Sequence, residues 1–150
     1  MKPEEMWKLY CKEVGIGEDV PYTADSFAGS AGLSDELAGL ILEGKKTATC
    51  SAYEMYALDN EPMYNVGDYS VVLDSRGEAV CIIRTAKLTI VPYGQVDADF
   101  AYKEGEGDRS LAYWRKVHKD FFENEFKGTP LTFSDETPLV CEEFEVVFRP

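Results

Sequence analysis

Apolar residues spaced three or four apart mark three helices in this chain. Over Pro3 to Val14, Met6, Leu9 and Tyr10 share one face, Pro3 opens the helix and Glu4 and Glu5 complement its positive end. Gly15 and Gly17 stop it, and its narrow apolar stripe predicts a peripheral position. A second helix, capped by Ser34, carries Leu37, Leu40 and Ile41 on one side and ends at Gly44. The third and clearest is capped by Asp108 or Ser110, with Leu111, Trp114, Val117 or His118, Phe121 and Phe122 at helical spacing.

Elsewhere the pattern has a period of two. Tyr69 to Asp74 and Ala79 to Thr85 flank the turn Ser75-Arg76-Gly77-Glu78, which predicts an antiparallel hairpin. Lys87 to Val91 is a further strand stopped by Pro92. Near the end, Val140, Glu142, Phe144, Val146 and Phe148 alternate with Cys141, Glu143, Glu145 and Val147 in one long strand. Gly17 to Gly32 and Asn60 to Gly67 read as loops, Tyr22 and Phe27 being positioned to cover the core. Mostly antiparallel strands with few helices predict an α+β class, and closing the strands into a small barrel would remove their exposed edges.

With 150 residues, 45% hydrophobic, the chain is long enough for one substantial core, so a single domain over 1–150 is expected, with 1–26 as an amino-terminal helix and loop. No apolar stretch is long enough to span a bilayer, and no leader pattern opens the chain, so a cytoplasmic location is expected. Cys11, Cys50, Cys81 and Cys141 have no metal or redox spacing and read as buried free thiols. The formal charge of −13, from 15 Lys and Arg against 28 acids, disfavours long duplex or nonspecific nucleic acid. A local positive site at Lys45 and Lys46 for a small ligand remains compatible with that charge.

Candidate chemistry concentrates at Gly44-Lys45-Lys46-Thr47-Ala48-Thr49, where the second helix turns into a strand. A phosphate loop is disfavoured, because its strand should precede the motif and its first glycine would be Gly39, inside a helix. Along an ideal strand Lys46 faces away from Thr47 and Thr49, so a bulge or twist is required to bring Lys46 and Thr49 together. A second concentration is Glu104-Gly105-Glu106-Gly107-Asp108-Arg109-Ser110, glycines and acids just before the aromatic helix.

At Gly44, Lys46 and Thr49 the sequence resembles the ASCH domain, a family with a PUA-like β-barrel. The Glu-Gly-Glu-Gly-Asp segment is similar to that of one bacterial subgroup, and the resemblance covers about Phe27 to Phe148. It implies a small barrel of mostly antiparallel strands flanked by helices. It further implies a pocket for a nucleoside or nucleotide-derived ligand, with Gly44, Lys45, Thr47, Glu104, Asp108 and Arg109 around it. One branch hydrolyses the acetyl amide of N4-acetylcytidine nucleosides with a lysine, a threonine and a glutamate, which correspond here to Lys46, Thr49 and Glu106. No cofactor or metal is implied. The alternative that the resemblance carries is an RNA-binding module or ribonuclease for short single strands, with Tyr53, Tyr56 and Tyr64 stacking on bases.

In the hydrolytic reading Thr49 is the nucleophile, Lys46 takes its proton and Glu106 passes a proton to the leaving nitrogen. Lysine ordinarily titrates near ~10.4, and bringing it to neutrality costs about 4 kcal/mol. If Glu106 lies close to Lys46, the roles exchange: Lys46 stabilises the oxyanion and Glu106 is the base. Glu106 rather than Glu104 is expected to point inward, the two lying on either side of Gly105. His118 is expected to be structural, packed beside Trp114 and Phe122.

Overall fold

The computed structural model describes residues 1–27 and 30–150. Helix α1 (Pro3–Val14) begins at the proline and ends at Gly15, whose φ of 77° is the left-handed stop that glycine supplies most cheaply. Strand β1 (Tyr22–Asp25) and the start of α2 (Ala31–Leu42) fall inside the stretch expected to be a loop, residues 28 and 29 of which lie outside the described residues. Ser30 rather than Ser34 is the N-cap residue of α2; Ser34 is a buried helical position. Next come β2 (Ala48–Ala52), α3 (Tyr53–Leu58), β3 (Tyr69–Leu73) and β4 (Ala79–Pro92). A short 3-10 turn at Tyr93–Gln95 leads to α4 (Ala98–Glu104), α5 (Leu111–Glu125) and β5 (Pro138–Phe148).

The five strands form one sheet in the order β1-β3-β4-β5-β2, with β1 parallel to β3 and the other pairs antiparallel. The two expected strands from Ala79 to Val91 are one long strand, irregular between Thr85 and Lys87, where its register against β5 slips at Ala86. The class is α+β, but the expected closed barrel is not formed. β1 and β2 end the sheet on opposite sides without pairing to one another among the described residues. The sheet therefore has four ladders, and the register of its long central pair shifts at Ile82/Ile83 and again at Thr85/Lys87.

Alternation along the strands sorts the helices. Val71 packs with Met6, Trp7 and Tyr10 of α1, and its neighbour Val72 packs with Ala38 and Ile41 of α2, so the two helices cover opposite faces of β3. Helix α1 thus buries more than its narrow stripe suggested, and Trp7 stacks on Tyr22 of β1. On β5, Leu139 and Cys141 join Trp114 and Phe122 of α5, whereas Phe144 turns to the α2 side. Burying side chains of this size contributes roughly 1.5–3 kcal/mol each. Among the described residues no helix is long and apolar enough to cross a membrane.

Candidate functional site

Where the sheet fails to close, its α2 side leaves a cavity of about 340 Å³ reached by residues of all five strands. Thr49 and Ser51 of β2 lie on this side. Cys50 between them points the other way, its thiol within 4.8 Å of Glu104 and His118 near α5. Glu142 stands opposite Thr49 in the β2–β5 register and accepts a 2.5 Å hydrogen bond from Thr85 Oγ1. Phe27, Tyr56 and Tyr64 supply aromatic walls, Tyr22 and Tyr69 border the cavity while their rings pack against Trp7 of α1, and Ser51 Oγ is 2.7 Å from Tyr56 Oη. Asp25, Asp68 and Glu142 add carboxyls, while no Lys, Arg or His is among the described residues lining the cavity.

The second feature is a buried polar network on the other side of β2. Lys46 Nζ, 1% exposed, donates to Glu104 Oε1 at 2.8 Å, to Glu106 Oε2 at 3.0 Å and to the Glu104 carbonyl at 3.3 Å. Those three bonds use all three ammonium protons. Glu104 Oε2 accepts from Trp114 Nε1 at 2.8 Å and lies 3.2 Å from His118 Nε2. His118 Nδ1 donates to the Trp114 carbonyl at 2.9 Å, and the imidazole stacks on the Trp114 ring at 4.3 Å. Cys50, Glu104 and His118 have the donor atoms of a metal site, but both Glu104 oxygens are engaged and the ammonium already supplies the positive charge.

Local backbone geometry explains why these groups meet. Gly105 ends α4 with φ 74°, and its Cα lies so close to the Lys45–Lys46 peptide that a Cβ there would be 2.9 Å from Lys46 Cα. Only glycine permits that approach. Arg109, itself at φ 65°, donates to the Lys45 carbonyl at 3.1 Å and the Tyr102 carbonyl at 3.0 Å, its guanidinium 3.6 Å from the Tyr102 ring centre. Thr47 N donates to the Lys103 carbonyl at 2.8 Å, which fixes the entry into β2. The acidic segment is therefore a clamp on the helix-to-strand corner.

Charge follows from this packing. Burial by itself would lower the Lys46 value, but Glu104 and Glu106 more than offset it, and Lys46 titrates above its ordinary value. Burial would raise Glu104, yet Lys46 and His118 hold it well below the carboxylate range. A depressed carboxylate stabilises the fold above its unfolded value, near 4.5, and that contribution is lost as pH falls toward the folded value. A raised lysine stabilises below its unfolded value, near 10.5, and is lost as pH rises through the folded value. Urea unfolding across pH should therefore show a plateau between these limits, and Glu104→Gln should remove the network's share of the acid limb. An unchanged acid limb in that variant would contradict the assignment.

The expected site residues thus fall into two groups. Lys46, Glu104 and Glu106 meet, whereas Thr49 faces a cavity whose described lining includes neither Lys46 nor Glu106. Strand alternation persists across the corner, and no bulge turns Lys46 to Thr49's side. Both glutamates turn inward to Lys46, where only Glu106 was expected to: Glu104 is 1% exposed, and Glu106 keeps 20% of its side chain exposed. Among the described residues the Lys45 ammonium pairs with Glu43, at 3.5 Å, and Asp108 accepts from Ser110 N at 2.9 Å. Gly44 makes the turn at φ 82°. Glu142 and Thr85 were not singled out by sequence reasoning. The signal was there in β5, where Glu142 shares the alternation of Val140 and Phe144.

Comparison with known proteins places the fold. The ASCH domain family model matches residues 23–148. An ASCH domain structure from Lactobacillus crispatus JV V101 is 34% identical with a TM-score of 0.86, over 97% of this chain and 96% of that one. A protein of Enterococcus faecalis V583 is 33% identical at the same TM-score of 0.86, over 97% of this chain and 88% of its own. No curated protein gives a significant match. From the matched span and these two structures, the chain belongs to the ASCH domain family.

Proposed function

We propose that the cavity binds an uncharged nucleoside or similar flat polar ring, and that the chain hydrolyses an acyl amide on the ring's exocyclic nitrogen, as in an N-acylated cytidine. The observation that carries the binding half is the cavity itself: about 340 Å³, walled by tyrosines, with carboxyl and hydroxyl groups and no cation among its described lining residues. Ligand clefts start near 300 Å³, so this volume suits one nucleoside rather than an oligonucleotide. Burial and the neighbouring Tyr56 push the Tyr64 phenol up to about 12, so the wall stays neutral beside the acids. A phosphate would meet Asp25, Asp68 and Glu142 with no compensating charge. The net charge of −13 weighs against an RNA polymer for the same reason.

For the chemistry, Thr49 is the proposed nucleophile, since its hydroxyl lies on the cavity side of β2. Lys46 keeps its proton and has no free donor, so it enters as a fixed charge that holds the corner leading to Thr49 rather than as a base. Glu106 enters the proposal as the more exposed half of that charge pair. The test is acetate release from N4-acetylcytidine by purified protein. Thr49→Ala should abolish turnover and Thr49→Ser should keep a measurable fraction. Equal rates in wild type and Thr49→Ala would refute the nucleophile, and no release by wild type would refute hydrolysis.

A further inference from the structure

With Lys46 saturated and Glu106 outside the described lining of the cavity, nothing yet named takes the proton of Thr49. Glu142 is in the right place. It is 7% exposed, and no Lys, Arg or His lies within ion-pair distance of it among the described residues, in contrast to Glu104 with its ammonium, indole and imidazole partners. Thr85 Oγ1 donates to its Oε2, and Oε1 carries no hydrogen bond among the described residues. A buried carboxylate without a cation is costly to hold, so its presence in a cavity wall calls for a function. Directly opposed residues in an antiparallel pair have Cβ atoms about 4.5–5.5 Å apart, within reach of a carboxyl and a hydroxyl on the same face.

We propose that Glu142 is the proton-transfer residue of the cavity, acting on the Thr49 hydroxyl. The inference rests on the hydrolytic reading above and adds the group that reading lacks. In the first half-reaction Thr49 Oγ1 bonds to the acyl carbon while its proton passes to Glu142. The carbon–nitrogen bond then breaks, and the same proton leaves Glu142 for the departing amine. In the second half a water attacks the Thr49 ester, Glu142 takes the water's proton, and that proton returns to Thr49 Oγ1 as the carboxylic acid departs. One amide and one water become one acid and one amine, and the protein is regenerated.

The surroundings of Glu142 suit the task. Burial raises its titration above its ordinary value, with Asp68 adding to the rise, while Thr85 and the more distant Lys46 act against it. Among the described residues, the other titratable groups lining the cavity are Asp25, Cys50, Tyr22, Tyr56, Tyr64 and Tyr69, with Cys81 further along the same face. A carboxyl moved toward neutral pH exchanges protons with a hydroxyl or an amine more readily than one fixed low, as Glu104 is.

The decisive comparison is wild type against Glu142→Gln, which preserves shape and can still accept from Thr85. Acetate release from N4-acetylcytidine and calorimetric binding of cytidine are measured on the same preparations. The proposal predicts a kcat lower by about 100-fold or more in Glu142→Gln. Cytidine affinity should stay within about threefold, and the acid limb of the wild-type kcat profile should be missing. Thr85→Val, which removes the hydrogen bond that lowers Glu142, should move that limb to higher pH. Turnover in Glu142→Gln within threefold of wild type, with cytidine binding intact, overturns the role of Glu142 and leaves the cavity reading standing. Cytidine binding by wild type without any acetate release overturns both this role and hydrolysis. Failure of wild type to bind cytidine overturns the ligand assignment itself.

Discussion

Replacing Lys46 with methionine should lower unfolding stability by about 3–5 kcal/mol, because it leaves the buried Glu104 carboxylate without its ammonium. The Trp114 indole and His118 remain beside Glu104 and keep the loss from being larger. Lys46→Met combined with Glu104→Gln should recover part of the loss, since the second change removes the stranded charge. Urea unfolding of the two single variants and the double variant measures both effects. A loss below about 1 kcal/mol for Lys46→Met would mean that the pair behaves as an exposed one. Truncation of Lys46 is therefore not a small change at the edge of the fold, and lost activity in such a variant speaks to catalysis only beside a measured stability.

Gly105→Ala should be the costliest change among the glycines of the corner, about 3 kcal/mol or more. A left-handed φ of 74° costs a residue with a Cβ roughly 1–2 kcal/mol, and the new atom would also meet the Lys45 carbonyl carbon at 2.8 Å. Those obstacles are backbone, so relief requires moving α4 away from Lys46. Gly107→Ala meets the side chain of Tyr113, 2.7 Å from its Cδ1, and that ring is able to turn aside. Gly44→Ala has φ 82° and nothing within 4 Å, so it should cost about 1 kcal/mol, the dihedral alone. Thermal or urea unfolding should rank them Gly105, then Gly107, then Gly44. If Gly105→Ala were as mild as Gly44→Ala, the close packing of the acidic segment on the corner would be wrong.

Much of the sheet was legible because its strands obey a period of two against a solid core. The hairpin at Ser75 to Glu78, the last strand and the aromatic helix from Leu111 follow the expected pattern. The short helix α3 was not legible: its six residues expose Tyr53 and Leu58 and carry too little periodicity to separate from a loop. β1 was hidden likewise, with four residues pairing parallel to a strand more than forty positions later. Nor does local pattern say whether end strands meet, so the barrel was inferred where an open sheet formed.

At the site, sequence reasoning grouped Lys46 with Thr49 and Glu106 and set Glu104 among the surrounding residues, whereas the structure leaves Thr49 on the other face of β2, joins Lys46 to both glutamates and buries Glu104 the more. That choice depends on the left-handed turn at Gly105 and on Trp114 and His118 approaching from α5. Alternation around Lys46 already implied that it and Thr49 face apart, and the structure keeps that alternation. Glu142 was overlooked because a single acid in an apolar alternation is also what a strand rim shows. Its meaning comes from Thr49 and Thr85 across the ladder.

The central claim, that an uncharged nucleoside occupies a cavity without cations, is tested most directly by calorimetric titration of wild type with cytidine and with cytidine 5′-monophosphate at low and moderate salt. Cytidine should bind with little dependence on salt, and the monophosphate should bind at least tenfold more weakly, since its charge faces Asp25, Asp68 and Glu142. Tighter binding of the monophosphate, weakening steeply as salt rises, would place the ligand on a basic surface and contradict the account.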